Sequence, residues 1–281
     1  MTTDAARALP GPHAEVGLGE KVRAAVGEMA PPDGSAYGPG RRLGVSFSGG
    51  VDSAVVAAIA AEAFGPEAVV AMIAVSPSLA RRELRAARAT AEEIGVELAE
   101  IATFETDVDD YRANTADRCY FCRTEMFTQF TGDAARELGL AAIAYGENAT
   151  DTERIDRPGA VAALEFGVLR PLSTAGLTKS EVRELARGYG LSVADKPASP
   201  CLASRVPHGT PVTPELLAQI DSAEDAVIEA GFPEARVRHH GEIARIEVPA
   251  GDVARLASPE VREAVVRGVR AAGYRNVTLD L

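Results

Sequence analysis

Hydrophobic positions in this chain fall into short runs whose period switches between that of a strand and that of a helix, with glycine or proline at most joints. Residues 42–48 read as a strand that passes through Gly49 and Gly50 into an alanine-rich helix at about 53–64, stopped by Gly65-Pro66. The run 68–75, rich in Val, Ile and Ala, has the continuous apolar character of a buried parallel strand, which makes a βαβ unit. Ser76-Pro77-Ser78 closes it, a helix is expected over 79–94 up to Gly95, and 96–101 reads as a third strand. The segment 110–123 leads into a helix running through Leu138, and after Gly139 residues 140–145 form a fourth strand, ending in the polar loop Gly146-Glu147-Asn148-Ala149-Thr150-Asp151. Residues 168–172 suit a strand or a bend. Thr178-Lys179-Ser180-Glu181 is a capping box, stapled by Leu177 and Val182, opening a helix that ends near Gly190.

Beyond the proline-punctuated, irregular stretch 195–205, a boundary is expected near Pro207. A helix then starts at Thr213-Pro214-Glu215 and runs to Gly231. Two short strands at 235–240 and 244–248 are joined at Gly241, and a helix over 252–272 is broken around Ser258-Pro259. Residues 276–281 make a last strand. Residues 1–40 form an N-terminal arm with a short helix at about 15–28 and turns at Pro31-Pro32-Asp33-Gly34-Ser35 and Pro39-Gly40. The expected fold is α/β, a doubly wound parallel sheet over 41–206, followed by a smaller α+β domain over 207–281.

The loop Ser48-Gly49-Gly50-Val51-Asp52-Ser53 gives the first chemical signal. A strand that ends in two glycines and turns straight into a helix aims several backbone N–H groups at one spot, and glycine lets an anion approach closely. Ser48 and Ser53 add hydroxyl donors, and Asp52 could hold Mg²⁺ against phosphates. Gly50-Val51 stands where a Walker A motif needs Lys and Ser or Thr, so that motif is disfavoured. The nucleotide-site residues expected here are Ser46, Ser48, Gly49, Gly50, Val51, Asp52 and Ser53. Ser76-Pro77-Ser78, at the end of a neighbouring strand, suits the adenosine half of a nucleotide. Lys179 could reach a phosphate, or be an exposed lysine on a capped helix.

Length and charge narrow the class. A chain of 281 residues has room for about two domains, and its 46% hydrophobic and 25% charged residues are those of an ordinary globular protein. The formal charge of −12 repels polyanions, and basic clusters such as Arg81-Arg82-Glu83-Leu84-Arg85 alternate with acids, so a nucleic-acid partner is not expected. No apolar run approaches the ~20 residues of a membrane span. The first residues, with Asp4, Pro10, His13 and Glu15, lack the order of a secretory signal, and three cysteines including a Cys-x-x-Cys suit a reducing compartment, so a cytoplasmic location is expected.

Those cysteines are Cys119, Cys122 and Cys201. Spacing alone leaves three readings open: three ligands of a [4Fe-4S] cluster with one iron free of protein, a Cys3His zinc site completed by His208, and a dithiol pair or ordinary buried thiols.

Ser-Gly-Gly-Val-Asp-Ser resembles the signature of the PP-loop ATP pyrophosphatases, which implies cleavage of ATP to AMP and pyrophosphate. Together with Asp117-Arg118-Cys119-Tyr120-Phe121-Cys122, Asp156-Arg157-Pro158-Gly159 and Pro200-Cys201-Leu202-Ala203-Ser204-Arg205, in that order, it makes residues 40–281 similar to the LarE family of sulfur transferases of nickel-pincer cofactor synthesis. The resemblance implies that ATP, with Mg²⁺, adenylates the carboxylates of pyridinium-3,5-biscarboxylic acid mononucleotide. A sulfur nucleophile then displaces AMP, and the product later binds nickel for lactate racemase. Some members destroy the cysteine matching Cys201. This chain departs from them and resembles the three-cysteine members, in which Cys119, Cys122 and Cys201 hold a [4Fe-4S] cluster that carries the sulfide. An anionic mononucleotide also needs cations, for which Arg205 and the alternating Arg236 and Arg238 are suitable forks. By resemblance, Arg236 and Arg238 belong to the substrate site, Glu224 and Glu247 to a metal site between subunits, and the protein to a homo-oligomer, a hexamer, supplied by a sulfide donor. The alternatives are a PP-loop tRNA thiolase using a three-cysteine cluster, and a non-catalytic nucleotide-binding module with structural zinc.

Overall fold

The computed structural model describes residues 16–152 and 158–281. Four parallel strands, β1 (Arg42–Ser46), β2 (Val69–Val75), β3 (Glu97–Ala102) and β4 (Leu140–Tyr145), form one sheet in the order β3-β2-β1-β4. Connections leave β1 in one direction to β2 and β3 and return to β4 on its other side, which puts a topological switch point at the C-terminal end of β1. Gly44 is what lets these strands close up: a Cβ there would lie 2.7 Å from the Met72 sulfur and 2.9 Å from Leu140 Cδ1.

Helix α2 (Val51–Phe64) is apolar on nearly every face because it is covered on nearly every face, with Val51 and residues 54–60 all buried. Helix α1 (Val16–Met29) sets Leu18, Val22, Ala25 and Met29 at helical spacing into the same core. The part of the N-terminal arm that is described is therefore packed against the sheet domain. Helix α3 (Arg81–Ile94) covers the sheet between β2 and β3 and ends at Gly95, in left-handed conformation.

The long helix expected up to Leu138 is three pieces: a single turn α4 (Asp109–Arg112), α5 (Arg118–Thr131) and a short helix Asp133–Glu137. Asn114, at φ 55°, ends the first, and Gly132, where a Cβ would meet the Thr128 carbonyl oxygen at 2.9 Å, ends the second. Residues 168–172 resolve into a bridge and a bend: Leu169 lies in isolated parallel pairing with Ala144, and Pro171 opens a one-turn helix.

The capping box forms as expected at the start of α6 (Lys179–Gly188), where Glu181 also takes Lys21 Nζ from α1 at 2.7 Å. Thr178→Ala is expected to lower stability by about 1 kcal/mol, read as a fall in melting temperature.

The C-terminal unit packs α7 (Pro214–Glu229) and α8 (Pro259–Ala271) on a mixed sheet of β5 (Arg236–His240), β6 (Ile243–Glu247) and β7 (Asn276–Leu279). As expected, the helix near 258 is broken, since Ser258 is extended. This unit has its own core around Val237, Ile246 and Phe232. A separate apolar cluster joins the two sheets, with Ala80 and Tyr111 from one side and Leu202, Val206, Leu217 and Ile220 from the other. No described helix is long and apolar enough to cross a membrane.

Candidate active site

The glycine loop leaves the C-terminal end of β1, at the switch point. Gly49 has φ 66°, and a Cβ on it would lie 2.8 Å from the Ala87 backbone of α3, so two constraints demand glycine at once. Ser53 Oγ accepts from Ser48 N at 3.2 Å and donates to Gly50 O at 3.1 Å, folding the loop over the start of α2. Gly50 caps α2 with no side-chain hydrogen bond, leaving that helix end for an anion. A cleft of about 290 Å³ opens above the loop, lined among others by Ser46, Ser48, Asp52, Ser53, Arg123 and Tyr145. Gly146, after β4, also lines it and was not singled out by sequence. A Cβ there would sit 2.8 Å from Ser53 N, so this glycine lets the β4 loop rest directly on the phosphate loop.

Asp52 faces the cleft and meets two partners from distant segments. Lys179 Nζ lies 2.5 Å from its Oδ2, and Asn148 Nδ2 donates to its Oδ1 at 3.0 Å. Lys179 is thus brought to the glycine loop, from a helix start fixed by the capping box. Thr150 Oγ1 accepts from Lys179 N at 3.2 Å, which binds the start of α6 to the β4 loop. Lys196, in the irregular stretch, reaches Gly49 O at 3.4 Å and Glu83 at 2.7 Å. The Arg123 guanidinium stacks 4.7 Å from the Tyr145 ring centroid. Asn148, Lys196 and Arg123 were not identified as site residues by sequence. Ser76 and Ser78, expected at the adenosine half, direct their hydroxyls inward, to Glu105 and to Tyr111. The apolar cleft wall is made instead by Ile73, Ala74 and Leu79.

The cysteines come from two segments. Cys119 and Cys122 occupy the first turns of α5, and Cys201 precedes a 3-10 turn, Leu202–Arg205. Cys119 and Cys201 are exposed and Cys122 is half-buried. Desolvation pushes the Cys122 thiol well above its ordinary range, with the Glu105 carboxylate adding in the same sense. It raises Cys201 too, opposed by Arg118, and the nearby Cys119 acts on both thiols. Among the described residues no three His, Cys, Asp or Glu side chains close around a single metal ion. A Cys3His zinc site with His208 asks for that closure, and His208 Nδ1 instead faces the Asn114 carbonyl at 3.2 Å.

The arginines expected as substrate forks make other contacts. Arg205 is 2% exposed, with Nε 2.7 Å and Nη2 3.2 Å from Glu224 and Nη1 donating to Pro200 O at 2.7 Å. A buried guanidinium needs a carboxylate, and Arg205 has taken one. Glu224, expected at a metal site between subunits, is fully buried and accepts from Arg82, Arg205 and Val237 N. Glu224→Ala would leave Arg205 buried without its counter-charge, and is expected to destabilise the fold by about 3–5 kcal/mol, measured by denaturant unfolding. Arg236 and Arg238 share a face of β5, as alternation requires, and donate to Ala198 O at 3.1 Å and Ser204 O at 2.8 Å. Arg238 also pairs with Glu247, which Arg245 shares. With Arg118 donating to Ala203 O at 2.8 Å, four arginines converge on the carbonyls around Cys201. Asp156 and Arg157 lie outside the described residues. Gly159 packs against Arg123 and the Cys119 carbonyl.

The family model described as NAD synthase matches residues 40–136, which hold β1, β2, β3 and the glycine loop. An uncharacterized protein of Synechocystis sp. is 38% identical over 87% of this chain and 90% of its own length. A tRNA-specific 2-thiouridylase of Sphingopyxis alaskensis is 32% identical but shares only 57% of this chain and 50% of its own length. The pyridinium-3,5-bisthiocarboxylic acid mononucleotide synthase of Lactiplantibacillus plantarum is 37% identical over 86% of both chains. With that identity held over 86% of its length, the chain belongs to the LarE family, the pyridinium-3,5-bisthiocarboxylic acid mononucleotide synthases.

Proposed function

We propose that this chain is an ATP-dependent sulfur transferase that turns the carboxylates of pyridinium-3,5-biscarboxylic acid mononucleotide into thiocarboxylates, in synthesis of the nickel-pincer cofactor of lactate racemase. The observation that carries the reading is the pairing of a PP-type loop with three thiols near enough to act on one another's charge, in a chain 37% identical to the synthase over 86% of its length.

The loop amides and the Ser48 and Ser53 hydroxyls take the pyrophosphate of ATP. Lys179 exchanges Asp52 for phosphate oxygens, which frees the Asp52 carboxylate for Mg²⁺; one carboxylate with phosphate oxygens and water is a normal Mg²⁺ shell. A substrate carboxylate oxygen attacks the α-phosphorus, forming an acyl adenylate and releasing pyrophosphate. A hydrosulfide then adds to the acyl carbon, the carbon–oxygen bond to AMP breaks, and the thiocarboxylate, AMP and one proton leave. Donor type and grouping fit a [4Fe-4S] cluster on Cys119, Cys122 and Cys201, since such a cluster puts each thiolate on a different iron and asks for no closure around one ion. When bound, it would supply a renewable sulfide at its free iron, fed by an external sulfide donor. The charges of Arg118 and Arg236 favour an anionic mononucleotide near Cys201, and a cytoplasmic homo-oligomer, a hexamer by family likeness, is part of the same reading.

Anaerobic protein given ATP, Mg²⁺, sulfide and the biscarboxylate mononucleotide is expected to exchange oxygen for sulfur over repeated turnovers, with Cys201 intact by mass spectrometry. Conversion of Cys201 to dehydroalanine in step with product would mean that the cysteine is consumed. The thiouridylase likeness is tested by gel shift: salt-sensitive retention of bulk tRNA would favour an RNA substrate over the mononucleotide.

A further inference from the structure

Asn114 has left-handed backbone, φ 55°, and a side chain with no exposed surface. Few residues with a Cβ adopt that conformation, and asparagine is one that tolerates it. Its amide is fully engaged. Nδ2 donates to Pro207 O at 2.8 Å and Thr210 O at 2.9 Å, with Val206 O at 3.4 Å, and Oδ1 accepts from Arg118 Nη1 at 2.6 Å. The same Nη1 donates to Ala203 O at 2.8 Å, and the Asn114 carbonyl takes Gly209 N at 3.2 Å. One asparagine and one arginine, at the start of the helix that bears Cys119 and Cys122, therefore grip the chain from Ala203 to Thr210, just past Cys201.

From these contacts we infer that Asn114 and Arg118 are positioning residues that hold Cys201 in register with Cys119 and Cys122; the inference rests on the proposed joint use of the three thiols. Cys119 and Cys122 need no such device, because residues three apart on a helix share a face. Cys201 sits in a segment of irregular backbone, so its distance from the pair is set by bonds across the chain. Arg236 and Arg238 on β5 bond to that segment, and Arg205 within it bonds to Glu224 on α7, which ties it to the C-terminal unit. Asn114 and Arg118 supply the tie to α5 itself. A second hold comes from the same side: Tyr111 Oη meets Ser78 Oγ at 2.6 Å, and Ser78 O accepts from Leu202 N at 3.0 Å.

The test uses metal-free, full-length protein and a short bismaleimide, with bridged peptides counted by mass spectrometry. The Cys119–Cys122 bridge lies within one helix and serves as the reference. In the unaltered protein, bridges from Cys201 to Cys119 or Cys122 are expected beside it. Asn114→Gly keeps the left-handed backbone and removes the amide. It is expected to cut the Cys201 bridges relative to the reference by at least about fivefold, as befits the loss of the several hydrogen bonds the amide makes. Asn114→Asp, which keeps Oδ1 and loses the Nδ2 donors, is expected to do the same. A purely structural asparagine would lower the melting temperature and leave that ratio unchanged, and an unchanged ratio in both folded variants overturns the inference. So does unaltered protein that forms no Cys201 bridge. If Asn114→Gly does not fold, Arg118→Met is read in the same way. Iron bound by the unaltered protein is measured separately: no iron with a falling bridge ratio sinks the cluster and keeps the clamp, whereas iron with an unchanged ratio does the reverse.

Discussion

Protein with Cys119 and Cys122 both replaced by alanine is expected to lose sulfur transfer altogether while still forming AMP and pyrophosphate from ATP and the mononucleotide. On the proposed mechanism the two chemistries draw on different groups. Adenylation uses the glycine loop, Asp52 and Lys179, at the end of β1 and the starts of α2 and α6. Sulfur delivery uses the thiols on α5 and just before the 202–205 turn. Removing two of three cysteines leaves too few thiolates for a cluster, so iron should fall from about four per chain to near zero. The measurement is paired: iron and sulfide content by colorimetry, and pyrophosphate release against thiocarboxylate formation in one reaction mixture. Full thiocarboxylate formation by the double variant would remove the cluster from the mechanism. Loss of both activities would mean that the thiols also shape the nucleotide site.

Asp52→Asn is expected to slow pyrophosphate release by about 10²–10³-fold, the scale on which loss of one aligned electrostatic group acts. Asparagine matches aspartate in size and can keep the contact with Asn148, so the loop should hold its shape. It has no charge with which to retain Lys179 or Mg²⁺. The effect should therefore fall on kcat more than on KM for ATP, because the loop amides still hold the phosphates. Added Mg²⁺ should restore little. A rate within about threefold of the unaltered enzyme would show that Asp52 lies outside the reacting centre.

The fold was largely legible because its signals are local. Glycine stops after helices such as α2, α3 and α7, buried valine and isoleucine runs in the parallel strands, and the Thr178–Glu181 box each depend on a few neighbouring residues. The break at Asn114 was not, since its conformation is held by carbonyls nearly a hundred residues away. The Ser48–Ser53 strand-to-helix turn was legible for the same local reason, while the residues it meets were not. Lys179 and Asp52 are separated by 127 residues, and nothing in Thr-Lys-Ser-Glu separates a phosphate lysine from a solvated one. Asn148 and Lys196 read as loop polarity until the sheet brings their segments together. Arg205 shows the opposite case: an arginine in an otherwise acidic chain suits an anionic substrate, but here it is buried and Glu224 takes its charge.

The arginine bonds to the carbonyls of 198–204 bear on how fast the enzyme fills. Arg118 and Arg236 direct their described hydrogen bonds at neutral acceptors, so no carboxylate among those contacts cancels their charge. The molecule as a whole carries −12. An approaching anion thus meets repulsion at long range and attraction within roughly 10 Å of these two arginines, the screening length in ordinary buffer. Moderate salt should weaken the first before the second. The association rate of the mononucleotide should then rise at low ionic strength, pass through a maximum and fall again, a curve that neither a uniformly acidic surface nor an open basic patch would trace.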